Sequence, residues 1–401
     1  MRESFRWFGP PDRIALSEIV QTGASEIVTS LHEIAYGLVW EKDAIAARQT
    51  LVREQSGGRL EWTVVESLPV HEEIKLAGSG GRGDLETLYE TYRISLRNLA
   101  ACGISTVCYN FMPLLDWTRT ELAHPLAGGG TSLRFNMQDF AAFDVFMLER
   151  PGAEADFAPD VIERAKAWID ASSPADRERL LTAIMAGLPG AYERYDVPGL
   201  REVLARYKGI TKDDIRANYK RFLEAVVPTA EEAGIRLCVH PDDPPRPVFG
   251  LPRVVSSEED IAFILDAVPS VANGLTLCSG SLGAGPANDV VAIARRFADK
   301  IHFAHLRNVA KDADGSFEEA DHLDGDTDMI ALLRVLLAEE RRRKGEGRAD
   351  WQIPMRPDHG HELLADLGRG THPGYPLIGR MRGLAALRGA IRAIGAIDGS
   401  A

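Results

Sequence analysis

The segments IRLCVH (235–240), GLTLC (274–278), KIHFAHLRN (300–308) and WQIPMRPDHGH (351–361) decide the architecture of this 401-residue chain. Each is a short apolar run of strand character. Each carries a metal-ligand residue type at or near its end: His240, Cys278, His305 and Asp358. The spacings between these four are 38, 27 and 53 residues, long enough for a helix and a returning parallel strand. In a (β/α)₈ barrel the C-terminal strand ends form the active-site face, so residues placed there converge. A thiolate, two imidazoles and a carboxylate suit one borderline divalent transition ion. Taken singly, Cys278 reads as a buried core thiol and either histidine as a satisfied polar residue. Four ligand residues at four successive strand ends point instead to a metal site.

Outward from this core, eight strand candidates emerge: Ser4–Trp7, Glu26–Leu31, Trp62–Glu66, Ser105–Asn110, Ile235–His240, Leu275–Cys278, Ile301–Leu306 and Gln352–Arg356. Helical patterns separate them. Asp12 is positioned to cap a helix running to Gly23. LETLYETYRISLRNLAACG (85–103) has apolar spacing of three and four, SSEEDIAFILDAV (256–268) has capping-box character, and GDTDMIALLRVLLAEERRR (325–343) is a long amphipathic run. The alternation predicts an α/β protein, a TIM (β/α)₈ barrel. The interval from about 116 to 212 breaks the rhythm. It holds helical stretches such as DVIERAKAWIDA (160–171) and SPADRERLLTAIMAGL (173–188) and no convincing strand. It reads as a helical insertion after strand 4, covering the catalytic face of a single domain, 1–401.

The formal net charge is −13, from Asp+Glu 59 against Lys+Arg 46, which argues against nucleic acid or an anionic membrane as the partner. An anionic small molecule would need Arg or Lys focused inside a pocket. The hydrophobic fraction of 45% suits a sizeable core, and four cysteines give no disulfide framework, in keeping with a reducing cytoplasm. The N-terminus does not read as a secretory signal, and no apolar run is long enough to span a membrane. Oligomeric state is not legible; a homodimer or larger homo-oligomer is compatible with a long insertion.

The segments FRWFG, ESLPVHEEIKLAG, CYNFMPLLDWTRTEL, VHPDDPPRPVFGLPR, LCSGSLGAGPANDV, HFAHLRNV, DHLDGDTDM, RPDHGH and PGYPLIGR together resemble the mannonate dehydratase family across nearly the whole chain. The resemblance implies one divalent ion, Mn²⁺ or Fe²⁺. It also implies dehydration of D-mannonate to 2-keto-3-deoxy-D-gluconate in hexuronate (glucuronate) catabolism. It places the family's ligands on His240, Cys278, His305 and Asp358 and its catalytic His and Tyr on His359 and Tyr375. The loop SLHEIAYGLVW (30–40) departs from the family pattern: Ala35 and Leu38 stand where Pro and Glu are usual, in a loop expected to face the site.

Strand alternation sharpens the assignments. Phe303, His305 and Arg307 share a face and His302 points away, to helix packing or the surface. Cys238 shares the face of His240 one layer deeper, as core filling. Arg356 and Asp358 share a face. Arg307 is the candidate for bidentate capture of a substrate carboxylate. His32 at the end of strand 2, Asn110 at the end of strand 4, and Arg119 in DWTRT are further substrate-binding candidates or supports for the loops. Dehydration needs two acid–base groups. His359 titrates near neutrality, and Tyr375 can serve as a base if a nearby cation lowers its pKa; which takes the proton and which gives it stays open. GSLGAG (280–285) lacks the lysine and spacing of a phosphate-binding loop. The alternative function is a metal-dependent sugar or sugar-acid isomerase or epimerase on the same barrel. A zinc hydrolase, prompted by the H-x-H in DHGH, and a non-catalytic binding protein rank lower. A Cys ligand with a single carboxylate favours one metal and the lyase.

Overall fold

A computed structural model describes residues 1–77, 84–187 and 195–398. The described residues contain twelve strands: β1 (Arg2–Arg6), β2 (Glu26–Thr29), β3 (Glu61–Glu66), β4 (Thr106–Tyr109), β5 (Glu121–Pro125), β6 (Thr131–Phe135), β7 (Arg236–Val239), β8 (Asn273–Cys278), β9 (Ile301–Leu306), β10 (Asn308–Lys311), β11 (Phe317–Ala320) and β12 (Pro354–Pro357). Eight of them close a parallel barrel in the order β1-β12-β9-β8-β7-β4-β3-β2. These are the eight anticipated strands. Their sequences are near-continuous apolar runs because both faces are covered; every residue of β2, β4, β8, β9 and β12 is buried.

The barrel interior is filled in layers. Val28, Val64, Cys108, Cys238 and Phe303 form one buried cluster, with Cys108 and Cys238 opposite each other across β4 and β7. Cys238 is therefore core filling, as alternation implied. Phe303 stacks edge-on beneath His305 with ring centroids 4.5 Å apart, so this layer is the floor of the site.

The helices form where capping and periodicity placed them: Leu85–Ala101 behind Asp84, Glu258–Ala267 behind Ser257 and Met329–Gly345 behind Asp328. Asp12 behaves differently. Its carboxylate accepts from the backbone N–H groups of Phe8 and Ile14 at 2.8 and 2.9 Å, pinning the β1 loop, and the first helix starts later, at Leu16.

The insertion after β4 carries the helices Pro159–Ala171, Pro174–Ile184 and Val197–Ala205. Leu188, the last residue of the second anticipated stretch, lies outside the described residues, as do 399–401 at the end of the expected domain. The insertion also contributes strands, contrary to the sequence reading. The hairpin β5–β6 joins β10 and β11 in an antiparallel sheet, β10-β11-β6-β5. Its turn holds Gly129 and Gly130 at φ of 84° and 82°, where only glycine is unstrained. A side chain at Gly130 would also strike the Glu362 carbonyl at 2.5 Å, where the hairpin bridges the loop after β12. Each strand is short and half polar, and the pairing of β6 with β11 joins residues far apart in sequence, so local pattern does not reveal the sheet.

Candidate active site

His240 follows β7, Cys278 ends β8, His305 lies in β9 and Asp358 follows β12. The donor atoms of His240, Cys278 and His305 lie within 4.8 Å of one another. Asp358 stands against two of them, with Oδ2 3.4 Å from Cys278 Sγ and Oδ1 3.7 Å from His305 Nδ1.

The surroundings assign the ring protons. His240 Nδ1 is 2.7 Å from the Pro241 carbonyl, which can only accept, so the proton sits there and Nε2 is bare. Glu66 Oε2 is 3.2 Å from His305 Nε2. The approach is not an aligned hydrogen bond, but the charge favours the proton on that nitrogen. His305 Nδ1 is then bare, consistent with Arg356 Nη2 approaching it at 3.4 Å. The two bare nitrogens, His240 Nε2 and His305 Nδ1, face each other at 3.1 Å. Two lone pairs hold that distance favourably only around a shared proton or a cation. With a sulfur and a carboxylate alongside, the donor set fits a divalent transition ion, and Glu66 orients the imidazole from behind.

A second shell of charges surrounds these residues. Arg356 makes a bidentate pair with Glu66 at 2.8 and 3.1 Å and reaches Asp358 Oδ1 at 2.7 Å. Burial alone would raise the pKa values of Glu66 and Asp358. Arg356, His305 and Arg6 outweigh it at Glu66, and Arg356, His359, Arg307 and His305 at Asp358; both carboxyls lie well below their usual range. Cys278 accepts hydrogen bonds from the Ser281 hydroxyl and backbone N–H at 3.0 and 3.4 Å, which fix the sulfur in place.

Arg307 is enclosed by carboxylates of the protein itself. A candidate for capture of a substrate carboxylate, it is buried with its nitrogens occupied: Glu319 Oε1 at 2.6 Å, Asp243 Oδ2 at 2.7 Å and Asp358 Oδ2 at 3.1 Å. Arg119 is likewise enclosed, by Asp243 at 2.7 Å and Glu319 at 3.0 Å. Both are internal cations that align carboxylates, and Arg119 falls on the supporting side of its two readings. A single sequence cannot distinguish a free arginine from a paired one, because the partners come from the β7 loop and from β11.

His359 lies directly after Asp358 with Nδ1 2.6 Å from Glu319 Oε1. Burial would raise Glu319's pKa, but His359, Arg307 and Arg119 lower it to about 2. His359 Nδ1 faces both the ionised Glu319 at 2.6 Å and Arg307 Nη1 at 3.0 Å, which fixes that side of the ring and leaves Nε2 as the nitrogen for proton exchange. The ring of Tyr375 packs edge-on against His359 with centroids 4.8 Å apart. Phe8 and Trp117 wall the same space, at 4.8 Å from Tyr375 and 6.0 Å from His359. Burial raises the Tyr375 pKa above its ordinary value, only partly offset by Arg356 and Arg6. The phenol therefore stays protonated near neutral pH in these surroundings.

His32 sits 3.2 Å from Arg6 Nη2 and beside Phe8; burial, then Arg6 and Arg48, lower its pKa to about 3, so it is neutral. Asn110 donates to Asp116 Oδ2 at 2.7 Å. His302 points away from the ligands, with Nε2 2.9 Å from the Val271 carbonyl. In the departing loop Leu38 is 61% exposed, and Ala35–Leu38 lean on Leu68–Ile74 and on Leu88, Thr91 and Tyr92. The sequence reading did not single out Glu66, Asp243 or Glu319. Glu66 had a signal, as a carboxylate ending an apolar strand. Asp243 and Glu319 had none.

Comparison with known proteins agrees with this geometry. Residues 1–400 match the family described as D-mannonate dehydratase (UxuA). The mannonate dehydratase of Chromohalobacter salexigens is 57% identical over 395 residues, 98% of this chain and 99% of its own. That of Marinomonas sp. is 49% identical over 390 residues, covering 97% and 98%. The crystal structure of mannonate dehydratase from Streptococcus suis serotype 2 superposes with a TM-score of 0.76 at 34% identity, covering 100% of this chain and 95% of that one.

Proposed function

This chain belongs to the D-mannonate dehydratase family, and from that premise we propose how its residues divide the work. The enzyme is a hydro-lyase that removes water from D-mannonate. The product we assign is 2-keto-3-deoxy-D-gluconate. The proton on C2 and the hydroxyl on C3 leave as water, and the C2–C3 enol so formed takes a solvent proton at C3 to become the ketone.

His240, Cys278, His305 and Asp358 are the proposed ligands of one divalent ion, Mn²⁺ or Fe²⁺. The observation that carries this reading is the convergence of the His240, Cys278 and His305 donor atoms within 4.8 Å of one another, with the two imidazole nitrogens 3.1 Å apart. The bound ion would offset the charge that builds beside the substrate carboxylate when C2 loses its proton. His359 Nε2 accepts that proton, because Glu319 holds the other ring nitrogen. Tyr375 donates to the departing hydroxyl, because burial keeps its phenol protonated. Phe8 and Trp117 exclude water around both groups, and Arg6, His32 and Asn110 line the approach as substrate-binding candidates. Arg307 and Arg119 hold Asp358, Asp243 and Glu319 in register.

Residues 1–401 are read as one domain, with about 116–212 as its cap; Arg119, tied to Asp243 and Glu319, supports the cap's role in the site. Among the described residues no helix is long and apolar enough to cross a membrane. Cytoplasmic hexuronate catabolism is the proposed setting, and a homodimer or larger homo-oligomer the proposed assembly, for which exposed Leu364 and Leu367 offer apolar surface. Incubation with D-mannonate and Mn²⁺ should yield an α-keto acid and consume no other substrate. Epimerised or isomerised sugar acid without keto acid would overturn the reading.

A further inference from the structure

At the opposite end of the barrel, away from the metal ligands, the N-terminal strand ends surround a cavity of about 660 Å³, a size typical of small-molecule sites. The loop 348–352 closes one side. Its lining includes Arg2, Arg236, Arg343 and Arg348, and the one acidic residue there is Asp350. Arg343 is spent on structure, bonded to Glu339 and to the carbonyls of Ala298 and Ile301. Arg236 and Arg348 share Asp350, at 3.0 Å and at 2.8 and 2.9 Å. One carboxylate thus serves two guanidiniums, each with further N–H donors, while Arg2 Nη1 is paired with Glu26 Oε1 at 3.3 Å.

Two buried polar atoms of this lining have no hydrogen-bond partner among the described residues: Arg2 Nε and His302 Nδ1. His302 is 3% exposed, and its Nε2 is engaged with the Val271 carbonyl, so Nδ1 is an acceptor left without a donor. Burial, with Arg343 and Arg236 nearby, lowers its pKa to about 3, consistent with a neutral ring. A buried acceptor without a donor is unfavourable, and two guanidiniums sharing one carboxylate are unusual on a chain whose formal net charge is −13.

We propose that this basal cavity is a second binding site, for a small oxyanion that takes the remaining N–H donors of Arg236 and Arg348. Sugar acids and hydrogen phosphate share this chemistry.

The test titrates the metal-loaded enzyme with inorganic phosphate and, separately, with D-gluconate, by calorimetry, on wild type, Arg236→Met and Val271→Glu. Val271 lines the mouth and is 48% exposed, so a glutamate there repels anions without touching the Arg–Asp350 network or the fold. Saturable binding should weaken about tenfold or more in both variants, the scale of one charge-assisted hydrogen bond, while metal content and turnover stay within about twofold of wild type. Binding of both probes, or of gluconate alone, supports the site and distinguishes a general oxyanion site from a hydroxy-acid site. If Arg236→Met misfolds, Val271→Glu decides alone. No saturable binding in wild type, or binding unchanged in Val271→Glu, overturns the proposal and leaves the cavity as a water-filled ion-pair network. Because the site lies apart from the metal ligands, either outcome is independent of the dehydratase assignment.

Discussion

Glu319→Gln tests the organisation of the acid–base machinery most directly. In the native protein a single oxygen, Glu319 Oε1, receives His359 Nδ1 at 2.6 Å, Arg307 Nη1 at 2.6 Å and Arg119 Nη2 at 3.0 Å. A glutamine can put its carbonyl oxygen in that place, so the hydrogen bonds survive while the charge is lost. The energetic scale follows from the carboxyl's pKa, about 2 against an ordinary 4.5: roughly 3 kcal/mol in favour of the ionised, folded form. The pKa is depressed, so this stability is complete above about pH 4.5 and is lost as pH falls towards about 2. Urea melts should therefore show the variant weakened by roughly 2–3 kcal/mol at neutral pH, with the gap to wild type narrowing on acidification. Arg119 and Arg307 keep Asp243 as a partner, which limits the loss and preserves the fold. Turnover should fall roughly tenfold to a hundredfold, because the imidazolium formed on proton abstraction loses its counter-charge. Glu319→Ala, which also releases His359 Nδ1, should fall further, by about a thousandfold or more. Metal content, read by elemental analysis, should be unchanged in both. A Gln variant with wild-type turnover and an unshifted melt would refute the reasoning, and loss of metal would make Glu319 a support of Asp358 instead.

Three further outcomes are expected. Cys278→Ala should lower metal occupancy and abolish turnover; full metal content and activity would remove the sulfur from the site. Chelation should abolish activity, and Mn²⁺ should restore it better than Mg²⁺, which prefers an all-oxygen octahedron; equal rescue would exclude thiolate ligation. His359→Asn and Tyr375→Phe should keep the metal and most substrate affinity yet lose roughly a hundredfold in turnover. Deuterium from solvent should appear at C3 of the product, and near-normal rates in both variants would dismiss the acid–base pair.

The barrel was legible because parallel strands, buried on both faces, must be short apolar runs, and because such a sheet aims its strand ends at one place. His240, Cys278 and His305 could be chosen by that rule alone, and their donor atoms do converge. Glu66 obeys the same rule, ending β3 as Cys278 ends β8, but a lone carboxylate beside a loop looks like any solvated strand end. Its function shows only when β12 brings Arg356 to within 2.8 Å.

Glu319 and Asp243 are illegible for a different reason. Asp243 lies in the loop beyond β7, and Glu319 sits in FEEA, a stretch with no strand signal, aligned because β11 pairs with β6 of the insertion and with β10. The cap is thus not merely a cover. Through β6 it sets the register of the strand whose carboxylate holds His359 Nδ1, while Arg119, from the same insertion, neutralises that carboxylate from the other side. A segment that broke the barrel's rhythm, and so read as a cover over the catalytic face, supplies part of the charge network around His359. For the same reason the surroundings of Arg307 were not legible: its spacing from His305 put it beside the site, but its carboxylate partners are delivered from 64 and 12 residues away in sequence, which strand periodicity does not encode.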